Sequence, residues 1–386
     1  MKILLLAAAS SIHTVRWANS LSRAGVDIVL VSQHAPLRNL DPAVKVKRLP
    51  YSGEVGYFLN AGALRSILAE ERPDLMNAHY ASGYGTTARM AHFHPYILSV
   101  WGSDVYDFAG KSPLHRWLSK RNLLAADQIA STSYAMADQA RLVAPLGDIE
   151  ITPFGVDTRL FTPREEDDST SHGTIVIGTV KGMAAHYGVD ILIDSVALLV
   201  EELNHSNPET AKRVRLRLVG HGPQMNELKT RAHNLGISGI VEFVGQVPHE
   251  AVPEHLRQFD IYAALSRRES FGVAIIEAGA CGLPVVVSDV GGLPEVVVGG
   301  ETGFVVPPES PREAAKALRQ LVLDPALRRQ MGAAGRARAV ACYEWRDNVD
   351  TMVALYQKVL ASNSHKSVAG VVGERGHSLP ARSLPR

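Results

Sequence analysis

The stretch Thr174-Ile-Val-Ile-Gly-Thr-Val180-Lys181-Gly-Met-Ala-Ala-His186-Tyr187-Gly-Val189-Asp-Ile-Leu192-Ile193-Asp-Ser-Val196-Ala-Leu-Leu199 decides the fold. It opens with a run apolar enough for a strand buried on both faces, passes through a glycine-bearing loop, and then repeats apolar residues at helical spacing, at Val189, Leu192, Ile193, Val196 and Leu199. Strand, loop and helix in that order begin a Rossmann-like βαβ series. The same opening stands at the N-terminus, where Lys2-Ile3-Leu-Leu-Leu6-Ala-Ala leads through a loop into a helix over 15–24. The chain therefore reads as an α/β protein built from two Rossmann-like units in tandem.

Working outward, strands are expected at 3–6, 27–31, 75–78, 97–100 and 128–131 in the first half, with a clear helix over 61–71. In the second half they are expected at 174–180, 215–219, 241–244, 261–264, 284–287 and 303–306. Apolar strands alternating with helices imply parallel sheets covered on both faces. The rhythm breaks at Pro153-Phe-Gly-Val-Asp157, and 163–173 is polar and turn-forming. The expected division is a first domain over 1–157, a linker over 158–173 and a second domain over 174–344. A helix over 345–361 would then pack back on the first domain through Trp345, Val349, Met352, Val353, Leu355 and Tyr356, leaving a disordered tail over 362–386. Ligands of such sheets bind at the carboxyl ends of the strands, so two such domains would face a cleft.

Composition narrows the function. The chain has 386 residues with 40 basic and 39 acidic side chains, a formal charge of +1, so no global signal points to nucleic acid. Mean hydropathy is +0.00, which argues against disorder. Cys281 and Cys342 cannot form a disulfide framework, and a reducing, cytoplasmic setting is expected. The apolar N-terminal run is at the short limit for a signal peptide and is followed at once by His13, Arg16 and Trp17, so it reads as a strand. No apolar stretch reaches the span length of about 18 residues. There is no Asp-x-Asp motif, and His92, His94, His115, His233 and His249 lack ligand spacing, so no metal and no cofactor are expected.

Chemistry concentrates in Leu265-Ser-Arg-Arg-Glu269-Ser270-Phe271-Gly272-Val-Ala-Ile-Ile-Glu277-Ala-Gly-Ala-Cys-Gly282-Leu-Pro284. Ser270 reads as an N-cap, Gly272 admits a ligand close to the backbone, and Gly282-Leu-Pro stops the helix. The helix N-terminus suits a phosphate. At about 1.5 Å per helical residue, Glu269 and Glu277 lie about 10 Å apart along the axis. That exceeds the range of about 5 to 9.5 Å for a glycosidase pair and suits carboxylates holding different hydroxyls of an elongated ligand. Either glutamate alone reads as an ordinary solvated charge; the setting of both argues for a site.

These residues resemble the retaining, nucleotide-sugar-dependent glycosyltransferases of family 4, which have the GT-B fold of two Rossmann-like domains. The resemblance rests on Glu269-Ser-Phe-Gly with Glu277, on Ala278-Gly-Ala-Cys-Gly-Leu-Pro284, Asp289-Val-Gly-Gly-Leu-Pro-Glu295 and Gly300-Glu-Thr-Gly-Phe-Val-Val306. Leu218-Val-Gly220-His-Gly222-Pro223, Phe243-Val-Gly-Gln246-Val247 and Pro153-Phe-Gly-Val-Asp157 also match. It implies transfer of a hexose-type sugar from a nucleoside diphosphate sugar to an acceptor hydroxyl, saccharide or lipid-linked, with retained anomeric configuration, in cell-surface polysaccharide, lipopolysaccharide or glycolipid synthesis. Glu277 would bind the ribose, Glu269 the sugar hydroxyls, Ser270, Phe271 and Gly272 the phosphates with Gly220 and Gly222 nearby, and Gln246 and Val247 the base.

Several positions depart from the family. Where an Arg and a Lys usually reach the diphosphate, this chain has Lys181 and Tyr187, with His186 or Arg267 as candidates for the missing charge. Trp101 stands where relatives carry a His and cannot exchange a proton as His does, so it reads either as a stacking surface or as plain core, and Asp104 becomes the nearest candidate for a hydroxyl. Ser11 and His13 lie in a first loop poorer in glycine than the family's, and His79 and Tyr80 follow a strand and would face the acceptor. The basic segment from Arg116 to Arg121 is a candidate for peripheral contact with the inner membrane face. A dehydrogenase is disfavoured, since no Gly-x-Gly-x-x-Gly follows either opening strand. An epimerase or phosphorylase of the same fold, or a silent sugar-nucleotide-binding module, remain as competing readings.

Overall fold

The computed structural model describes residues 1–165 and 173–373, with side chains to residue 363. The middle of the expected linker and the end of the expected tail lie outside the described residues. Strands β1 (Lys2–Leu6), β2 (Asp27–Ser32), β3 (Lys45–Arg48), β4 (Leu75–His79), β5 (Tyr96–Val100), β6 (Gln128–Ser131) and β7 (Ile149–Ile151) form a seven-stranded sheet in the order 3-2-1-4-5-6-7. In its parallel register Ile3 lies beside Ile28 and Leu75. Ile3 to Leu6 are fully buried, as a central strand covered on both faces requires.

β3 and β7 were not expected. The residues of β3 are Lys45-Val-Lys-Arg48, an edge strand too basic to show an apolar run. Its lysines instead pair with Glu70 and Glu71 on the helix Ala61–Glu71, at 2.6 Å from Lys47 and from Lys45 respectively. Charged edges of this kind discourage pairing with another chain.

The second sheet has six strands, β8 (Ile175–Val180), β9 (Val214–Val219), β10 (Val241–Gly245), β11 (Ile261–Ala264), β12 (Val285–Ser288) and β13 (Gly303–Val306), in the order 10-9-8-11-12-13. Its pairings are parallel. The helix Val189–Ser206 buries Val189, Leu192, Ile193, Val196 and Leu199 against this sheet and against the helix Pro311–Leu323. Each such side chain contributes about 1.5–3 kcal/mol of transfer free energy. In both sheets the strand order reverses beside the opening strand, between β1 and β4 and between β8 and β11, and loops at that reversal are where an α/β fold holds ligands.

The chain divides into two compact units. Unit 1 comprises Met1–Ala130, Arg141–Glu150 and the chain from Val349; unit 2 comprises Ser131–Ala140 and Ile151–Asn348. The segment 131–140 belongs to unit 2 because it is tied there. Ser133 Oγ donates to the Ser270 carbonyl at 2.6 Å, and the Glu295 carboxylate accepts from the Tyr134 and Ala135 amides at 2.9 and 2.6 Å. Part of the stretch expected as linker is also packed: the Arg336 guanidinium binds the Phe161 and Thr158 carbonyls at 2.6 and 2.8 Å. The closing helix runs Trp345–Gly373, past the expected end at 361, because Ser362-Asn-Ser-His-Lys-Ser-Val-Ala369 contains neither glycine nor proline to stop it.

Candidate active site

Three loops meet at the carboxyl edge of the six-stranded sheet. Lys181 directly follows β8, and its amide donates to the Val219 carbonyl at 3.0 Å. Gly220 follows β9, and its amide donates to the Gly245 carbonyl at the end of β10 at 2.8 Å. Met183 N donates to the His221 carbonyl at 3.1 Å, and Gly222 lies against the backbone of Met183. Gly220 has φ +140, and a Cβ there would stand 1.9 Å from the Lys181 carbonyl oxygen, so no other residue lets the loops close up this way.

The Lys181 ammonium, on a side chain 9% exposed, is in hydrogen-bonding contact with Glu269 Oε2 on a side chain 14% exposed. Its other flank is the Tyr187 ring, 5.0 Å from Nζ to the centroid. Burial works against the charged ammonium, but Glu269, with Tyr262 and Tyr187 adding to it, outweighs burial and holds the Lys181 pKa well above the ordinary lysine value. Both candidates for a second cation are engaged within unit 2. Arg267 is committed to Asp190 through both terminal nitrogens, at 2.9 and 2.7 Å, and to Glu309 at 2.9 Å. The His186 ring packs on Tyr187 with centroids 4.0 Å apart, and its carbonyl accepts from the Arg267 amide.

Glu269 and Ser270 precede the helix Val273–Ala280. Ser270 is not the N-cap. That position is Gly272, at φ +109, and no side chain caps the helix. The left-handed turn that only glycine adopts readily is what aims the chain into the helix, and it leaves the first amides without a side-chain acceptor. Phe271 is buried between Phe154 and Tyr343.

Glu277 lies within this helix, its side chain 7% exposed, and its Oε1 accepts from His249 Nε2 at 3.0 Å. His249 begins the turn His249–Ala251, immediately after Gln246-Val-Pro248, of which Gln246 is exposed and Val247 half-buried. The Phe161 ring stands 5.7 Å from the His249 ring. His249 was dismissed in the sequence for want of ligand spacing. Its adjacency to Gln246 and Val247 was the available signal; its contact with Glu277 spans 28 residues and is set by the fold.

In unit 1 the structure gathers the other candidates around Trp101, which is 8% exposed. The His79, Tyr80 and His13 rings lie 4.2, 5.4 and 6.3 Å from it. His79 ends β4, and burial drives its pKa down to about 3, so the ring is neutral. Burial, with Asp104 and Tyr57 adding to it, raises the Tyr80 hydroxyl to about 12. Asp104 is only 1% exposed, and its carboxylate accepts from the Ala81, Gly102 and Trp101 amides at 2.7, 2.9 and 3.3 Å. Burial raises its pKa while those amides oppose the rise. With both oxygens engaged, Asp104 ties the loop after β4 to the loop after β5. Ser11 is the N-cap residue of the helix Ile12–Arg23, without a side-chain capping bond.

A family model described as Glycosyl transferases group 1 matches residues 163–338, and one described as Glycosyl transferase 4-like matches residues 2–133. A GDP-mannose-dependent alpha-(1-6)-phosphatidylinositol monomannoside mannosyltransferase of Mycolicibacterium smegmatis is 31% identical over 278 residues, 68% of this chain and 70% of that protein. The chain belongs to the family 4 glycosyltransferases. A D-inositol 3-phosphate glycosyltransferase of Actinosynnema mirum is 27% identical to this glycosyltransferase, over 90% of this chain and 91% of its own. Among solved structures, a sucrose-phosphate synthase from Thermosynechococcus elongatus superposes with a TM-score of 0.80 at 22% identity, covering 94% of this chain and all of that one. Anabaena HepE in complex with UDP gives 0.78 at 20% identity, over 93% and 100%. The fold is GT-B.

Proposed function

We propose that this glycosyltransferase moves a hexose-type sugar from a nucleoside diphosphate sugar to an acceptor hydroxyl with retained anomeric configuration, and that Lys181 is the cation that meets the departing diphosphate. The observation that carries this reading is the buried Lys181–Glu269 pair, set at the carboxyl end of β8 beside the uncapped start of the helix Val273–Ala280. As the glycosidic bond breaks, negative charge collects on the diphosphate. A preorganised ammonium in a water-poor setting and the amides at the helix start around Phe271 and Gly272, which no side chain caps, stabilise that charge. Glu269 then has an oxygen for the sugar hydroxyls, Glu277 one for the ribose, and Tyr187 supplies a ring face where relatives have a second cation. The named relatives support a nucleoside diphosphate donor: one is GDP-mannose-dependent, and a structural neighbour holds UDP.

The test is turnover with a panel of UDP, GDP and ADP sugars, first ranked by thermal shift. Lys181→Ala should lower turnover by about a hundredfold, the scale of losing one preorganised electrostatic contact. A loss smaller than about threefold overturns the assignment. Net inversion of the anomeric centre by NMR overturns retention. Release of free sugar or sugar phosphate with no acceptor product would favour the hydrolytic or phosphorolytic reading. Activity should survive exhaustive chelation, since no Asp-x-Asp motif is present to hold a divalent ion beside the diphosphate.

A peripheral membrane contact forms part of this proposal, supported by the helix Pro113–Ala125. Its buried face carries Ser119 and Asn122, while Leu114, Trp117 and Leu124 are 69, 52 and 48% exposed. Arg116, Lys120 and Arg121 flank them, with Arg121 over the Trp117 ring at 5.5 Å, and the Arg116 guanidinium bonds the carbonyl of Leu142, itself 68% exposed. Apolar centre and cationic margin fit an anionic lipid surface. No helix among the described residues is long and apolar enough to cross a membrane. Trp17, Trp101 and Trp345 are buried, so Trp117 reports contact. Phosphatidylglycerol vesicles should shift its fluorescence to shorter wavelength, and Trp117→Ala should abolish the response.

A further inference from the structure

The contact between His249 and Glu277 joins a turn to a helix, two elements that the proposed function assigns to different parts of the nucleotide. Glu277 is nearly buried in a helix, and a buried carboxylate has to be matched by donors and fixed in one rotamer if it is to select between hydroxyl groups. His249 supplies both. Its Nε2–H donates to Oε1 at 3.0 Å, and its ring is backed by Phe161, which is fully buried and whose carbonyl is held by Arg336 at 2.6 Å. A carboxylate offers about four acceptor directions over its two oxygens, so one bond from histidine leaves the far oxygen open to hydroxyl donors.

We propose that His249 is a positioning residue that sets the Glu277 carboxylate for the ribose hydroxyls of the donor nucleotide. The proposal rests on the ribose reading of Glu277. His249 follows Gln246, Val247 and Pro248 directly, so the segment placed against the base also carries the group that orients the ribose acceptor. Base and ribose are thereby recognised by one braced element, with Phe161 as the brace. A site built to accept from a hydroxyl rejects the analogue that lacks it, because the buried acceptor is then left unpaired.

The experiment is calorimetric binding of UDP and GDP, each beside its 2′-deoxy and 3′-deoxy counterpart, to wild type, Glu277→Gln, Glu277→Ala, His249→Phe, His249→Gln and the Glu277→Gln/His249→Phe double variant. Wild type should bind one ribonucleotide at least about tenfold more tightly than a deoxy form. Glu277→Gln should reduce that ratio below about threefold. His249→Phe, which keeps a ring against Phe161, should reduce it equally, and the double variant should be no worse than either. His249→Gln, whose amide nitrogen reaches the Nε2 position, should restore part of it. If Glu277→Gln abolishes discrimination and His249→Phe leaves it intact, His249 is packing only and the proposal falls. Equal weakening of ribo and deoxy forms by His249→Phe overturns it as well. Discrimination that survives Glu277→Ala, which removes both acceptor oxygens, as well as Glu277→Gln overturns the ribose reading itself.

Discussion

In the role proposed for it, Lys181 meets the diphosphate while already paired with Glu269. Removing the carboxylate leaves the ammonium in a dry site without its counter-charge, and burial then pushes the lysine pKa down. The proposed role requires the charged form of Lys181, so activity that depends on it should be lost as pH rises through its pKa. In the wild type that pKa lies above 10.5, and kcat/KM should show no basic limb from this group below pH 10. In Glu269→Gln the limb should move to lower pH, which a kcat/KM profile measures; a profile with an unmoved limb counts against the coupling. His79 gives a stability prediction with the opposite character. Unfolded, it takes up a proton near pH 6.5; folded, burial keeps it neutral down to about 3. Between those values the unfolded chain binds the extra proton, so stability falls with falling pH by about 1.4 kcal/mol per unit. From pH 7 to pH 5, His79→Gln should lose about 2 kcal/mol less than wild type in urea titrations. Lys181, Glu269 and Glu277 stand out in the sequence as candidates because glycine loops and helix signals frame them. Arg267 reads as an available cation because its charge is visible in the sequence while its partner Asp190, 77 positions away, is not.

Elements show which local signals dominate and which are overridden. Apolar runs located the central strands to within one or two residues, while β3 and β7 escaped because an edge strand needs no apolar face. The start of the helix Val273–Ala280 was misplaced because serine is a good cap by propensity, and the left-handed Gly272 turn took the position instead. The helix Tyr134–Val143 shows a cap that sequence proximity cannot reveal. Glu295, 161 residues beyond Tyr134, accepts from its first two amides with both carboxylate oxygens. Ser133 Oγ adds a bond from the Met136 amide at 3.1 Å. A charged cap at a helix N-terminus is worth about 1–2 kcal/mol. Glu295→Ala should therefore lower the unfolding free energy by about that amount, and Glu295→Gln, which keeps one acceptor, by less. Urea midpoints that fail to separate the two variants from wild type would show that the amides find equivalent partners in water.

At the scale of the whole molecule, the chain's first unit is completed by its far end. From Val349 the closing helix belongs to unit 1 and buries Val349, Met352, Leu355, Tyr356 and Val359, which are 4, 4, 5, 0 and 8% exposed. Tyr356 OH accepts from Asn77 Nδ2 on β4 at 2.8 Å, across 279 positions, and Asn77 in turn accepts from Ser99 Oγ on β5 at 2.9 Å. At about 2 kcal/mol for each buried apolar side chain, the helix contributes on the order of 10 kcal/mol, comparable with the whole stability of a typical domain at about 5–15 kcal/mol. Unit 1 should therefore not be stable without it, although its seven-stranded sheet is encoded almost entirely in the first 151 residues. A chain ending at residue 363 should melt within a few degrees of the full chain, whereas one ending at residue 348 should lose the cooperative unfolding of unit 1. A peptide spanning 345–363, added to the shorter chain, should restore that transition in proportion to its concentration. The peptide carrying Tyr356→Ala should fail, since such a truncation costs about 3–5 kcal/mol in a buried site. A cooperative unit 1 in the chain ending at 348 would show that its core closes without the helix.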